Sequence, residues 1–378
     1  MTETVRRDGD AVRYPPVVLV SHGFQMNYER GFCNGLAANG VDVTLISSDR
    51  SDAAGLHANI TAVNLRGSQE ESRPHWQKTV NLFRYHTTLM AYAVRRRRDV
   101  IHVIGLITPL LWRGLFEGLW FRLVAWRYVL TVHDLLPHDR HDPLTRWLCR
   151  QCYRLPHKLV VHTERMAQRL VGEFGVPAHR VFVMEHGIEP AVGAGVPAGN
   201  IVASAVPTLL AFGGVTPRKG IDLLLEALRA VHFEFRLVIA GQCIDDRYRQ
   251  LLQDLIAMHP HRACIEWRDE FVPEAEMELL FRTCDLLVLP YRYIDQSGVL
   301  FQALRFGLPI VATRVGQFDR YVCPEVGLVA EPEDAGSLTT ALETWMQQRA
   351  SFERLRIQQI GRQYEWPATV RALVGAYR

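Results

Sequence analysis

The sequence of 378 residues lacks any uninterrupted apolar run of about 18 residues, the length that a helix needs to cross a bilayer. Residues 1–14 are polar and hold no apolar core of the kind found in secretory signals. The seven cysteines are scattered and odd in number, which argues against a framework of disulfides. We therefore expect a cytoplasmic protein with reduced thiols that does not span a membrane.

An excess of one charge is also missing, because 43 Lys and Arg residues offset 40 Asp and Glu residues and leave a net charge of +3. This balance gives no whole-molecule reason to expect nucleic acid as a partner, although residues 95–98 form a local run of arginines. Cys149 and Cys152 have the spacing of a metal-binding pair, but no second pair completes a zinc site and their segment has a helical pattern. We interpret Asp245 and Asp246 as a solvated loop. We expect no metal site.

The sequence does contain a repeated alternation of short runs rich in Val, Ile and Leu with amphipathic segments of helical period. Strands separated by crossover helices predict an α/β fold with a parallel, doubly wound sheet. The alternation stops at the Pro- and Gly-rich residues 189–207, which are typical of a linker, and then begins again. Because the chain also exceeds the usual size of one core, we predict two such domains. Ligands of these sheets bind at the carboxyl ends of the strands, so the loops there are the candidate sites.

One such loop joins the run TLLAFGG to the helical pattern IDLLLEALRA. Gly213 and Gly214 begin the loop, and Arg218 and Lys219 end it just before the helix. Backbone N–H groups at a helix start attract anions, and Lys219 adds a point charge, with Arg218 beside it as an alternative. The loop is therefore a candidate phosphate site. Taken alone, the same residues fit a solvated turn equally well.

A second candidate helix start follows the run DLLVLPY. Ser297 is a natural N-cap there, and Gly298 lets a ligand approach the backbone. Gln302 lies about one turn inside the helix, and helical side chains lean toward the amino terminus, so its amide is within reach of a ligand hydroxyl. The alternative is an ordinary capped crossover helix with Gln302 in solvent.

Histidines end three of the predicted strands in the first half of the chain. His133 ends YVLTVHD, His186 with Gly187 ends RVFVMEHG, and His22 with Gly23 follows PVVLVS. At the mouth of a cleft, such histidines can bond sugar hydroxyls or a phosphate oxygen. The alternative is that each histidine only fastens its own loop.

Several segments, taken in order, resemble those of one enzyme family. They include DVIHVIG, VLTVHDLLP, VVHTERMAQRLVGEFGV, FGGVTPRKGIDLLLEAL and SGVLFQALRFGLPIVATRVG. Over nearly its full length, the chain resembles the retaining glycosyltransferases of family 4, which have the GT-B fold of two Rossmann-like domains facing a central cleft. We accordingly expect an acceptor-side domain at residues 1–190, a linker at 191–207, a nucleotide-sugar-binding domain at 208–362 and a helix at 363–378 that returns to the first domain.

The resemblance also implies roles for individual residues. Lys219 matches the lysine that binds the donor diphosphate, and His133 matches the histidine that contacts the donor sugar. Gln242, Phe271 and Val272 lie where similar enzymes hold the nucleotide base, largely through backbone atoms. The remaining candidates are Arg218 in catalysis, Gly213, Gly214, Gln296, Ser297, Gly298, Val299 and Gln302 in donor binding, and His22, Gly23, His186 and Gly187 at the cleft mouth.

Two positions depart from the family pattern. Gly213 stands where the family often has an arginine, six positions before the lysine. The family's two glutamates, separated by seven residues, align with Ile294 and Gln302, or with Asp295 if the loop is shifted by one. Asp295 or Gln296 is then the candidate for the contact that a carboxylate usually makes with the donor sugar.

The implied reaction transfers a glycosyl group from a nucleoside diphosphate sugar to an acceptor hydroxyl, with retention at the anomeric carbon. It would serve the synthesis of cell-surface polysaccharide, glycolipid or another glycoconjugate. No metal, nucleic acid or cofactor other than the nucleotide-sugar co-substrate is implied. The acceptor is open, and lipid-linked acceptors are common among similar enzymes. Two alternatives stay open: a non-catalytic homologue that binds a nucleotide sugar or a partner enzyme, and a sugar-nucleotide epimerase.

The segment 109–126 is unusually rich in Leu, Trp and Phe, with Arg113 and Arg122 interspersed. Such a segment can rest on an anionic membrane, and the arginine run at 95–98 precedes it. A crossover helix buried on the sheet explains most of its apolar residues, and we favour that interpretation. The expected location is the cytoplasm, with peripheral contact at the inner face of the membrane as the alternative.

Overall fold

The computed structural model describes residues 14–22, 26–49, 55–70, 73–106, 111–137, 142–188, 205–294 and 297–378. The chain divides into two compact units, which we call unit 1 (Met1–Gly187 with Trp366–Arg378) and unit 2 (Ile188–Glu365). Most of the segment 191–207, which we expect to be a linker, lies outside the described residues.

Unit 1 has seven parallel strands among its described residues, and crossover helices connect most of them. The strands are β1 (Val17–Ser21), β2 (Val43–Ser47), β3 (Ile60–Asn64), β4 (Val100–Ile104), β5 (Arg127–Thr131), β6 (Lys158–Val161) and β7 (Val181–Val183). The helices are α1 (Met26–Ala38), α2 (His75–Arg95), α3 (Leu111–Val124), α4 (Pro143–Arg154) and α5 (Glu164–Gly172). The spatial order is β3-β2-β1-β4-β5-β6-β7. β1 is buried throughout, as expected for a central strand of a sheet that is covered on both faces.

Unit 2 repeats this plan with six parallel strands among its described residues. The strands are β8 (Thr208–Phe212), β9 (Arg236–Ala240), β10 (Ile265–Arg268), β11 (Leu286–Leu289), β12 (Ile310–Thr313) and β13 (Gly327–Ala330). The helices are α6 (Ile221–Leu228), α7 (Asp246–Ala257), α8 (Glu274–Thr283), α9 (Gly298–Phe306), α10 (Phe318–Tyr321), α11 (Ala335–Gln348) and α12 (Arg354–Gly361). The spatial order is β10-β9-β8-β11-β12-β13.

The strand order reverses once in each sheet. In unit 2 the chain moves outward from β8 to β10 and then returns to the other side of β8 as β11. The loops that follow β8 and β11 therefore leave the carboxyl edge of the sheet side by side. In unit 1 the corresponding pair is β1 and β4. Such reversal points are where open α/β sheets bind ligands.

The last helix, α13 (Trp366–Val374), packs in unit 1 against α1. Its first residue is buried, and its indole fills space left by glycines, because a Cβ placed on Gly31 or Gly187 would overlap the Trp366 ring. A Cβ on Gly35 would lie 2.9 Å from the backbone of Trp366. These glycines thus let the carboxyl-terminal segment approach the sheet closely.

The interpretation of segment 109–126 as a buried crossover helix is wrong for its largest side chains. α3 does bury one stripe, which includes Leu111 and Phe121. Trp112, Phe116 and Leu123, however, are exposed. The sequence pattern contains two apolar stripes, and periodicity alone does not say which one faces the sheet.

Two other motifs have structural roles within helices. Cys149 and Cys152 are both buried in α4, in agreement with helix packing. Asp245 is the N-cap of α7, where its Oδ1 accepts hydrogen bonds from the backbone N–H groups of Arg247 and Tyr248. Both aspartates are exposed, in agreement with the solvated position that we expect, but the loop is wrong for Asp246, which is the first residue of α7.

Candidate active site

The loop after β8 holds a buried cation. Lys219 ends a short 3₁₀ turn and is only 8% exposed, and its Nζ donates a hydrogen bond of 2.9 Å to the carbonyl oxygen of Phe212. Gly213 has φ +91°, and a Cβ placed there would lie 2.5 Å from Nζ. The arginine that the family often carries at this position therefore has no room here while Lys219 keeps this conformation.

Burial makes the charge of Lys219 costly. Desolvation, followed by the positive charge of Arg218, lowers the pKa of Lys219 to about 7. A bound phosphate would raise this pKa again, because its negative charge favours the protonated amine. The burial of Lys219 argues against a solvated turn, and the loop stays a candidate phosphate site.

Tyr291, in the loop after β11, lies beneath both cations. Its ring centroid is 5.5 Å from Lys219 Nζ and 5.8 Å from the guanidinium carbon of Arg218. Arg292 then ties the two loops together, since its guanidinium donates to both carboxylate oxygens of Asp222 at 2.9 and 2.7 Å. The backbone N–H of Arg292 also donates to the carbonyl of Arg218 at 2.9 Å. These contacts position the loop that holds Lys219, and no sequence pattern singles out Tyr291.

The start of α9 completes this part of the site. Ser297 stands at the N-cap position, but its side chain makes no capping hydrogen bond and is buried instead. A Cβ placed on Gly298 would meet no atom of the described residues within 4 Å, whereas Val299 Cγ2 lies 3.5 Å from the Cβ position of Gly213. The structure thus brings Gly213, Lys219 and Val299 together beside the start of α9.

Gln302 and Gln296 are the two remaining candidates on this segment. Gln302 lies within α9, is half-buried, and accepts a hydrogen bond of 3.4 Å from Arg305 through Oε1. This contact engages the oxygen of the side-chain amide on its own helix and leaves the role of the NH2 group as a prediction. Gln296 and the neighbouring Asp295 lie outside the described residues.

The predicted base-binding residues follow β9 and β10. The carbonyl oxygen of Gln242 accepts a hydrogen bond of 2.8 Å from the backbone of Val215 and lies 3.9 Å from the Cβ position of Gly214. Val272 packs on the core of unit 2, while Phe271 is 80% exposed. The backbone of the loop after β9 therefore borders the candidate phosphate site, and the exposed Phe271 ring follows β10.

His133, in unit 1, has a defined tautomer. His162 Nδ1 lies 3.0 Å from the carbonyl oxygen of Met184, which can only accept, so Nδ1 carries the proton. His162 Nε2 is then the acceptor for His133 Nδ1, 3.2 Å away. Desolvation, followed by the charge of His186, lowers the pKa of His133 to about 4, so the ring is neutral at pH 7. The free Nε2 of His133 is consequently an acceptor, which suits a sugar hydroxyl and not an anionic phosphate oxygen.

The surroundings of His133 form a small cavity at the carboxyl edge of the unit 1 sheet. The cavity has a volume of about 170 Å³, and its walls include Ser21, Gly105 and Asp134. Tyr28 packs edge-on against His133 with a centroid distance of 4.7 Å. His162 follows β6, the strand next to that of His133. Its position at the end of KLVVHT is therefore a sequence signal for a further histidine at this edge of the sheet.

His186 and Gly187 have a packing role in unit 1. The His186 ring lies 5.4 Å from the Trp366 ring, and its Nδ1 donates to the carbonyl of Gly187 at 2.7 Å. Desolvation lowers the pKa of His186 to about 4. These contacts favour the alternative that His186 fastens its own loop. Gly187 makes room for Trp366.

His22 belongs to a separate buried cluster. Its Nε2 lies 3.0 Å from Oε1 of Glu117, its Nδ1 lies 3.3 Å from the Tyr85 hydroxyl, and its side chain is 5% exposed. Burial alone would raise the pKa of Glu117, but His22, His86 and Arg113 together hold it below its usual value. Sequence reasoning missed Glu117, which lies within the apolar α3. Gly23 lies outside the described residues.

Two family models match the chain. The model described as Glycosyltransferase Family 4 matches residues 27–192, and the model described as Glycosyl transferases group 1 matches residues 206–348. Together they cover most of the chain, so it belongs to the family 4 glycosyltransferases, in agreement with the resemblance.

The curated relatives are glycosyltransferases. A GDP-mannose:glycolipid 4-beta-D-mannosyltransferase from Xanthomonas campestris is 28% identical over 49% of this chain and 49% of its own length. A D-inositol 3-phosphate glycosyltransferase from Geodermatophilus obscurus is 26% identical over 63% of this chain and 56% of its own length. The chain thus spans about half the length of the curated relatives it matches.

Solved structures show the same fold at lower identity. Anabaena HepE in complex with UDP and glucose has a TM-score of 0.71 and 15% identity, and the match covers 96% of this chain and 99% of that chain. Sucrose-phosphate synthase from Thermosynechococcus elongatus has a TM-score of 0.69 and 18% identity, over 96% of this chain and 98% of that one. The predicted GT-B fold, with two Rossmann-like domains, is thereby confirmed.

Proposed function

We propose that this protein transfers a sugar from a nucleoside diphosphate sugar to an acceptor hydroxyl, and that Lys219 binds the donor diphosphate. The observation that carries the proposal is a buried lysine beside an open helix start, held between Gly213 and Tyr291 at the point where the strand order reverses. Such a site matches a diphosphate in both charge and position.

The reaction needs negative charge to be stabilised as the diphosphate leaves. Lys219, Arg218 and the amino-terminal end of α9 are the groups in unit 2 that would do this, without a metal ion. His133 would accept a hydrogen bond from a hydroxyl of the donor sugar. Family membership supports retention at the anomeric carbon, and proton NMR of the first product formed from an α-linked donor separates retention from inversion.

We further propose a lipid-linked acceptor, in the synthesis of a glycolipid or a cell-surface polysaccharide, at the cytoplasmic face of a membrane. The glycolipid mannosyltransferase among the relatives supports this acceptor class. No helix in the described parts of the chain is long and apolar enough to cross a bilayer. A peripheral enzyme fits both observations.

A donor panel tests the proposal. Uridine, guanosine and adenosine diphosphate sugars are compared by thermal shift, and the donor that stabilises the protein is then assayed for transfer to glycolipid extracts. We expect one nucleotide to raise Tm and one sugar to be transferred. If no member of the panel raises Tm or is turned over, the proposed function is wrong.

The missing glutamates favour one other candidate, a homologue that binds a nucleotide sugar without turning it over. Ile294, at one of the two glutamate positions, packs on the core of unit 2 and offers no carboxylate. Donor binding without transfer or hydrolysis would support this candidate. Conversion of a free nucleotide sugar without an acceptor would instead indicate an epimerase.

A further inference from the structure

α3 presents its large apolar side chains to solvent. The stripe that it buries contains Gly114, Glu117 and Gly118, whereas Phe116 and Leu123 are 71% and 72% exposed. The exposed stripe, which also includes Trp112, recurs every three to four residues along the helix. Burial against the sheet therefore does not account for the composition of α3.

The neighbouring helices extend this exposed surface. Trp120 of α3 donates a hydrogen bond of 3.2 Å to the carbonyl of Met90 in α2, and the Trp112 ring lies 6.1 Å from the Trp147 ring of α4. We call the resulting surface of unit 1 the aromatic face, and its main exposed residues are Trp76, Phe83, Trp112, Phe116, Leu123 and Trp147. With Trp120 and Trp126, it displays five of the chain's eight tryptophans. Soluble monomers rarely expose apolar surface on this scale.

The charge on the three helices of the aromatic face is mainly of one sign, and the exposed Asp142 lies just outside them as the N-cap of α4. Within α2, α3 and α4 the sequence contains a single carboxylate, Glu117, and that residue is buried. The exposed ionised side chains on these helices are cations, which include Arg84, Arg122 and Arg146. Arg97 and Arg98, also exposed, follow α2 directly. This local excess contrasts with a net charge of only +3 for the whole chain.

We infer that the aromatic face docks unit 1 on an anionic phospholipid surface. Tryptophan is the residue that best occupies the boundary between headgroups and acyl chains, and each arginine near an anionic surface adds about 1 kcal/mol of attraction. The inference rests on the proposed function in that a lipid-linked acceptor would be met at such a surface.

A second copy of the chain suits the aromatic face less well. A two-fold symmetric dimer pairs the same patch with itself, which would oppose the arginines of one copy to those of the other. A lipid surface avoids this repulsion, because its headgroups carry the complementary charge. The charge of the aromatic face therefore favours binding to an anionic bilayer over formation of a symmetric dimer.

Vesicle flotation tests the inference. The full chain is mixed with vesicles of phosphatidylcholine alone or with added phosphatidylglycerol, at low and high salt. The variant Phe116→Ser with Leu123→Ser removes two exposed apolar side chains of the aromatic face, and Arg97→Glu with Arg98→Glu reverses two charges. The matched control is Ile244→Ser with Leu355→Ser, which removes two exposed apolar side chains from unit 2.

We expect wild type and control to float with anionic vesicles at low salt, and each aromatic-face variant to bind at least tenfold more weakly. The donor should still raise the Tm of every variant. A variant that loses vesicle binding but keeps this rise in Tm shows a loss of docking alone, whereas a wild-type protein without the rise would contradict the proposed function. Equal binding to neutral vesicles, unchanged binding of both variants, or a wild-type dimer that the Phe116→Ser and Leu123→Ser variant dissociates would each overturn the inference.

Discussion

At the scale of residues, the site depends on how a lysine is buried. Among the described residues, Lys219 has a carbonyl oxygen and the face of Tyr291 as its neighbours, and burial lowers its pKa to about 7. A bound anion would stabilise the charged form of this lysine. This property gives donor binding a characteristic pH dependence.

Donor affinity should fall as pH rises above about 7. The Lys219 amine is charged below its pKa and neutral above it, so each pH unit above about 7 should weaken binding by up to tenfold until direct binding to the neutral form takes over. Isothermal titration calorimetry between pH 6 and 9 measures this slope. In Lys219→Ala the slope should vanish, and a flat profile in wild type would contradict the assignment.

Gly213→Ala should weaken donor binding at least tenfold and lower the free energy of unfolding by about 1–2 kcal/mol. Its φ of +91° is unfavourable for alanine, and the new Cβ would displace Lys219 Nζ. Gly172→Ala is the control, because a Cβ there meets no atom within 4 Å. Thermal unfolding and donor titration are measured for both variants. Equal losses of stability and donor affinity in the two variants would contradict the predicted contact between residue 213 and Lys219.

Glu117→Gln should lower the free energy of unfolding by about 3 kcal/mol, because it removes the buried carboxylate that contacts His22 and offsets the charge of Arg113. Since the pKa of Glu117 is held below its usual value, the contribution of this carboxylate is present above that usual value. It is lost as pH falls through the lowered pKa. Urea unfolding at pH 7 and at pH 4 compares variant and wild type, and a smaller difference at pH 4 is expected.

At the scale of elements, the strands and the phosphate loop were predictable from local pattern. Buried parallel strands read as continuous apolar runs, and the residues of TLLAFGG through Lys219 lie next to one another in sequence. His22 and Glu117 are 95 positions apart, so their pairing has no local signal. The outward orientation of α3 was also beyond prediction, because both of its stripes are apolar.

The docking of α13 gives a prediction at this scale. Gly31→Ala lies within α1, where alanine is the better helix former by about 1 kcal/mol, yet the new Cβ would overlap the Trp366 ring. We expect the free energy of unfolding to fall by about 1–3 kcal/mol. Gly375→Ala, which meets no atom within 4 Å, serves as the control. A stabilised Gly31→Ala protein would show that α13 does not pack there.

At the scale of the whole molecule, two sheets of the same design carry different chemistry. Unit 2 places cations and open backbone at its reversal point, while unit 1 places neutral, mutually bonded histidines near its own. Nucleotide alone should therefore protect residues 213–220 and 297–300 from hydrogen exchange. Protection concentrated at Phe233 and His261, which line a cavity near the amino ends of β8 to β10, would contradict this division.

The central claim is that Lys219 binds the donor diphosphate. Calorimetric titration of the donor that the panel identifies, into wild type, Lys219→Ala and Arg262→Ala, tests it most directly. Arg262 is an exposed cation of the same unit, just before β10, and serves as the matched control. We expect the Kd of the donor to be at least tenfold higher for Lys219→Ala than for wild type, and unchanged for Arg262→Ala. Unchanged affinity in a folded Lys219→Ala protein would contradict it.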